Sequence, residues 1–191
     1  MNKAKAAWSS KQQFHGIAGT ADDGAAFELS PSNGNWTINV LHNFTGADGA
    51  NSRAGVIFGK AGTLYGTTYT GGAQKCACGA VFRLKKSSAD GWTEQVVHSF
   101  TGAPGSGPSA PLISDSAGNL YGTTYNTDKQ VGGTVFELNV TTGAYSVLHT
   151  FGAADGSGPL GGLVRDSAGN LYGTTSVGGA SGWGVVFEIT P

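Results

Sequence analysis

The chain has 191 residues and a formal net charge of −1, with 11 Lys and Arg against 12 Asp and Glu, and only 12% of its residues are charged. That length builds one domain with a sizeable core and no need of covalent staples, and its scattered cations exclude the basic stripe of a nucleic-acid-binding surface. With 33 glycines and no apolar run of ~18 residues, the composition points to an all-β fold rich in tight turns and encodes no membrane insertion.

In chain order, residues 1–13 (MNKAKAAWSSKQQ) have the basic start of a secretion signal without the apolar stretch behind it, so no signal peptide is read there. Trp8 and Phe14 are six residues apart, as are Tyr145 and Phe151. Residues 7–14 are therefore expected as a closing outer strand that pairs with Val185–Ile189. From residue 14 onward four landmarks recur. The first is GVIF, PLIS and GLVR, and the second is LYGTT at 64–68, 120–124 and 171–175. The third is GAAFEL, GAVFRL, GTVFEL and GVVFEI, and the fourth is WTINVLHNF, WTEQVVHSF and AYSVLHTF. The leucines of the second step by 56 and 51 residues, and the phenylalanines of the third by 55, 54 and 51.

Each landmark is a short run of β-branched and aromatic residues bounded by Gly, Asp, Asn, Pro or Ser, which is the pattern of a strand between turns. Calling them A, B, C and D, a four-stranded antiparallel unit of 51–56 residues in tandem describes a β-propeller blade rather than the shorter coil of a solenoid. About 3.5 such repeats span residues 14–191, as blades at about 14–46, 54–101, 110–151 and 161–191. The first has no recognisable A strand, with His15 standing where the other B strands have Tyr. The last stops after C. A sheet edge left open at either end attracts a partner, so a homodimer forming an eight-bladed ring is expected over a four-bladed ring closed by the N-terminal strand.

The pattern GLVxDxxGNLYGTT…GG…GTVFEL…W…VLHxFxG resembles the bacterial GloVer tandem repeat over nearly all of residues 14–191. The resemblance implies a propeller-like array, frequent surface association and no assigned activity. A weaker likeness links the DxxGNLY hairpin to propeller lactonases of the gluconolactonase type. No anchor is read in this chain, so its location is left open.

Alternating strand directions put the A–B and C–D turns on one face of the array and the B–C and D–A loops on the other. The two DSAGN turns occupy the first face, so Asp115, Asn119, Asp166 and Asn170 read as turn formers. His42, His98 and His149 share one D-strand position and read as satisfied scaffold, because a catalytic base is needed once. Tyr65, Tyr121 and Tyr172 read as core. The opposite face is where the copies diverge. There Asp22, Asp23, Asp48 and Asp155 are candidate ligands for Ca²⁺, which takes six to eight oxygens, and Asn51, Lys75, Asp128 and Trp183 are candidate contacts for a small-molecule or glycan ligand. Cys76 and Cys78 read as free thiols in a surface loop, with a bridge to another subunit or a soft-metal contact as the alternatives. No GxSxG, HExxH or phosphate-binding loop occurs, and no nucleotide or organic cofactor is expected. The leading expectation is a non-catalytic binding or assembly module. The alternative is a Ca²⁺-dependent hydrolase acting on an ester or lactone.

Overall fold

The computed structural model describes residues 5–8, 23–72, 75–87, 91–127 and 130–190, and it is all-β. Four separate antiparallel sheets follow one another along the chain. The first contains β1 (Lys5–Trp8), β2 (Ala25–Ser32) and β3 (Asn35–Asn43). The second contains β4 (Ile57–Phe58), β5 (Leu64–Thr68), β6 (Ala80–Ser87) and β7 (Gly91–Ser99). β8 (Ile113–Ser114), β9 (Asn119–Thr127), β10 (Gln130–Asn139) and β11 (Tyr145–Thr150) form the third. The fourth has β12 (Val164–Arg165), β13 (Leu171–Thr174) and β14 (Val186–Ile189). These are propeller-like blades in which neighbours in sequence are neighbours in the sheet. No strand pairing joins the first sheet to the fourth among the described residues, so the sheets are not closed into a ring.

The core lies between the blades. Ala26 and Phe44 of the first blade pack with Leu64, Phe82 and Leu84 of the second. Tyr65, Val81 and Phe100 then meet Leu112, Leu120, Phe136 and Leu138, and Val135 and Phe151 meet Leu163 and Leu171. Each seam carries one edge-on or tilted phenylalanine pair: Phe44–Phe82 at 5.0 Å, Phe100–Phe136 at 5.4 Å and Phe151–Phe187 at 4.8 Å. Such offset aromatic contacts add to the area term that drives the stacking. The second, third and fourth blades thus have an incoming face, made by Leu of B and the Phe and Leu or Ile of C. Their outgoing face is made by Tyr of B and the small apolar residue that precedes that Phe.

The repeated glycine of LYGTT belongs to this packing. A Cβ on Gly66, Gly122 or Gly173 would sit 2.5, 2.7 or 2.5 Å from the Cζ of Phe82, Phe136 or Phe187. The ring tip lies against the bare backbone, and the two threonines that follow are buried in the second and third blades, whereas in the fourth Thr174 is exposed and Thr175 buried.

Of the N-terminal segment the structure describes β1, while most of the expected closing strand 7–14 lies outside the described residues. Lys5–Trp8 pairs antiparallel with Ala25–Glu28, in the slot that LYGTT fills in the other sheets, instead of with Val185–Ile189. Without it β2 would present a bare edge on that side. Residues 9–14 and His15 lie outside the described residues. Tyr121 and Tyr172 are also not fully core: both are partly exposed, and each hydroxyl shares its one proton between a turn aspartate and Glu137 or Glu188.

Candidate functional site

On the divergent face the loops are tied into a belt. The D–A loop of each blade runs against the B–C loop of the next, through the bridges Ala50–Thr70, Ser106–Asn126 and Ser157–Val177. Ala50 N donates to Thr70 O at 2.8 Å and Thr70 N returns the bond at 3.1 Å. The same reciprocal pair recurs at the other two bridges. This face is therefore built on backbone hydrogen bonds, which a change of side chain leaves in place.

Each complete D strand reaches this face through a bulge. The register slips between Ala26 and Phe27, Val81 and Phe82, and Val135 and Phe136, so that Leu41, Val97 and Leu148 are extra residues opposite them. A bulge re-aims the side chains beside it, here the three histidines. In the first blade His42 Nε2 lies 2.9 Å from Asp48 Oδ2, while Asp48 Oδ1 accepts from Thr45 N at 2.8 Å and from Thr45 Oγ1 at 3.0 Å. The third blade repeats the latch, with His149 Nε2 2.8 Å from Asp155 Oδ2 and Gly152 N donating to Asp155 Oδ1 at 2.7 Å. In the second blade Pro104 stands at the aspartate position, and His98 instead stacks flat on Tyr145 of the third blade at 4.2 Å. Burial there holds its imidazole below its ordinary pKa.

The residue four places before each histidine faces the preceding blade in the second and third blades and is exposed in the first. It is Ile38 in the first blade, Glu94 in the second and Tyr145 in the third. Glu94 meets the first latch. One ligand atom each of His42, Asp48 and Glu94 lie within 4.8 Å of one another. Burial, and then the charge of Asp48, push the Glu94 carboxyl up to about 7, and its Oε1 is buried without a hydrogen-bond partner.

This architecture repeats down the chain in sequence as in space, and a family model described as the Gloeobacter/Verrucomicrobia repeat matches residues 11–191. The chain belongs to that repeat family. No curated protein matches the sequence. Within this Gloeobacter/Verrucomicrobia repeat chain the expected site residues fall in different places. Asp48 and Asp155 are the acceptors of equivalent latches in the first and third blades. Asp23 lies by the first D–A loop, where its backbone carbonyl accepts from Asn51 N at 2.7 Å. Neither Asp23 nor Asp155 belongs to a group of three potential metal ligands among the described residues. Asn51 adopts φ 57° and also accepts from Tyr69 N, which makes it part of the belt. Trp183, on the B–C loop of the fourth blade, is 88% exposed. Lys75 is exposed beside the cysteines, and Asp22 and Asp128 lie outside the described residues.

Cys76 and Cys78 are not free thiols: they form a disulfide with Cα atoms 5.2 Å apart. An extended chain would hold positions two apart too far for easy bridging, but Ala77 takes φ 51° and folds the chain back. On the opposite face the DSAGN aspartates are turn formers. Asp115 accepts from Gly118 N, Asn119 N, Asn119 Nδ2 and Tyr121 OH, and Asp166 makes the corresponding set. Sequence reading missed Glu94. Its signal was the column four before the histidine, where Ile, Glu and Tyr share no chemistry although the strands around them are copies.

Proposed function

We propose that this repeat chain is a binding and assembly module whose fourth blade docks on the first blade of a second copy. The observation that carries the reading is Val186. Its counterparts Ala26, Val81 and Val135 are 0–1% exposed because the next blade covers them, whereas Val186 is 81% exposed. Val164, at the place of Ile57 and Ile113, is 65% exposed on the same outgoing face. The three internal seams define what such a face accepts, the Phe and Leu of a following C strand; in β2 these are Leu29, which is partly exposed, and Phe27, which is buried within its own chain. The contact is heterologous, and in an eight-bladed ring of two copies it is made twice, through two equal seams.

The B–C and D–A loops then form one continuous rim, with Trp183 as its exposed aromatic, available to a small-molecule or glycan ligand. The alternative, a Ca²⁺-dependent ester or lactone hydrolase, calls for six to eight oxygens around one ion, and the one cluster among the described residues brings together two carboxylates and an imidazole, so assembly is the reading carried forward.

The test is light scattering with Val186→Asp. Burying one valine is worth ~1.5–3 kcal/mol, so two seams lose at least ~3 kcal/mol, over a hundredfold in association. The parent should show the mass of two chains at micromolar concentration and the variant that of one, with far-UV spectra alike. A single-chain mass for the parent, or a dimer that Val186→Asp leaves intact, overturns the proposal.

A further inference from the structure

The seam between the first and second blades holds a group of side chains that neither of the other seams repeats. We propose that His42, Asp48 and Glu94 form a Zn²⁺ site that staples these two blades together. Zinc takes imidazole nitrogen and carboxylate oxygen in one shell, and ligands about 2.0–2.2 Å from the ion in a tetrahedron lie about 3.4 Å from each other. His42 Nε2 and Asp48 Oδ2 are 2.9 Å apart, and all three ligand atoms fall within 4.8 Å. Small side-chain movements therefore suffice. Two carboxylates and a neutral imidazole carry the charge that one Zn²⁺ cancels, and the carboxylate of Asp48 places a like charge beside Glu94. The buried Oε1 of Glu94, without a partner in the protein, gains one in the ion.

Selectivity follows from the donor set. Ca²⁺ demands six to eight oxygens and disfavours nitrogen, and three protein ligands with an imidazole among them suit a borderline transition ion with a fourth position left to water. The remaining seams are internal controls. At the second, Pro104 replaces the aspartate and Tyr145 replaces the glutamate. At the third, His149 and Asp155 offer two ligands and no third among the described residues. One ion per chain is expected.

The experiment is calorimetric titration of Zn²⁺ into metal-stripped protein at neutral pH, kept oxidised so that the Cys76–Cys78 bridge stays closed, with Co²⁺ absorption as a second readout of a nitrogen-containing shell. The parent should bind one Zn²⁺, show the visible bands of Co²⁺, and gain melting temperature by mass action. Glu94→Gln and His42→Gln should each weaken binding at least about tenfold, since even outer-shell losses cost 10- to 100-fold. Asp155→Asn should bind like the parent. Glu94→Gln keeps the size of the side chain and removes the charge beside Asp48, so in chelator it should melt no lower than the parent, and its loss of binding reports the ligand and not the fold. Absence of a one-to-one ion, binding that survives in Glu94→Gln, or Ca²⁺ displacing Zn²⁺ at equal concentration overturns the assignment.

Discussion

Replacing Gly122 by alanine tests the account of the blade seams at its narrowest point. The backbone there is ordinary β, so alanine meets no conformational obstacle, and relief of glycine's backbone entropy should stabilise the strand by ~0.5–1 kcal/mol. The new methyl, however, would lie 2.7 Å from Phe136 Cζ and 2.8 Å from Leu112 Cδ2. Phe136 is fully buried, and Leu112 is 1% exposed. Neither side chain has room to retreat. Overpacking of this kind costs ~1–3 kcal/mol, so the net loss is up to ~2.5 kcal/mol, or up to about 10 °C in Tm for a chain of this size. Urea unfolding with an unchanged slope measures it. Gly55→Ala is the control, because a Cβ there meets nothing within 4 Å, and it should be neutral or stabilising. Phe136→Leu removes the obstructing ring atoms, so the double variant should be at least ~1 kcal/mol more stable than the two single losses added together. A Gly122→Ala protein as stable as Gly55→Ala, or a pair that adds without coupling, would refute the reasoning.

Two predictions concern pH. Glu94 has its folded pKa raised to about 7 from 4.5, so in metal-free protein the folded state holds a proton that the unfolded state releases. Its contribution is full below about 4.5 and is lost as pH rises through 7, and Glu94→Gln should flatten the fall in Tm between pH 5 and 8. Asp115 is the opposite case: burial raises its pKa, but the hydrogen bonds from Asn119, Gly118 and Tyr121 outweigh it and hold the carboxyl below 3.8. Its stability is present above that value and lost as pH falls through the folded pKa. Asp115→Ala should therefore cost ~1 kcal/mol at neutral pH and become nearly neutral in strong acid, measured by melts from pH 7 to 2.

The blades were legible because the signals that make them are local and copied. Alternating Val, Phe, Leu and Tyr between glycine turns specify strand, face and register at once, and Asp115 and Asp166 were readable as turn formers because their partners lie within six residues. The N-terminal pairing was not legible. Lys5–Trp8 carries no LYGTT pattern, and its place is set by an open edge on β2 that only the fold reveals. The disulfide was misread for a related reason: the spacing of Cys76 and Cys78 fits poorly in extended backbone, and the positive φ of Ala77 that brings them together has no marker in an alanine.

The histidines show how a copied residue acquires different chemistry. All three sit behind the same bulge and next to the same phenylalanine, so the scaffold delivers an imidazole to each seam in one orientation. What it meets there is decided by two unrepeated positions, the loop residue six places later and the strand residue supplied by the next blade. Asp48 with Glu94 makes a charged cluster, Tyr145 beside His98 makes an aromatic stack where Pro104 replaces the aspartate, and Asp155 makes a more exposed latch with no third ligand group among the described residues. A like-charged pair such as Asp48 and Glu94 works against stability unless a proton or a cation joins it, while the stacked seam needs neither. The blade seams of one chain thus differ in what they require from solution although their cores are nearly identical. Chemistry enters this repeat through its seams, at positions where copying was not kept.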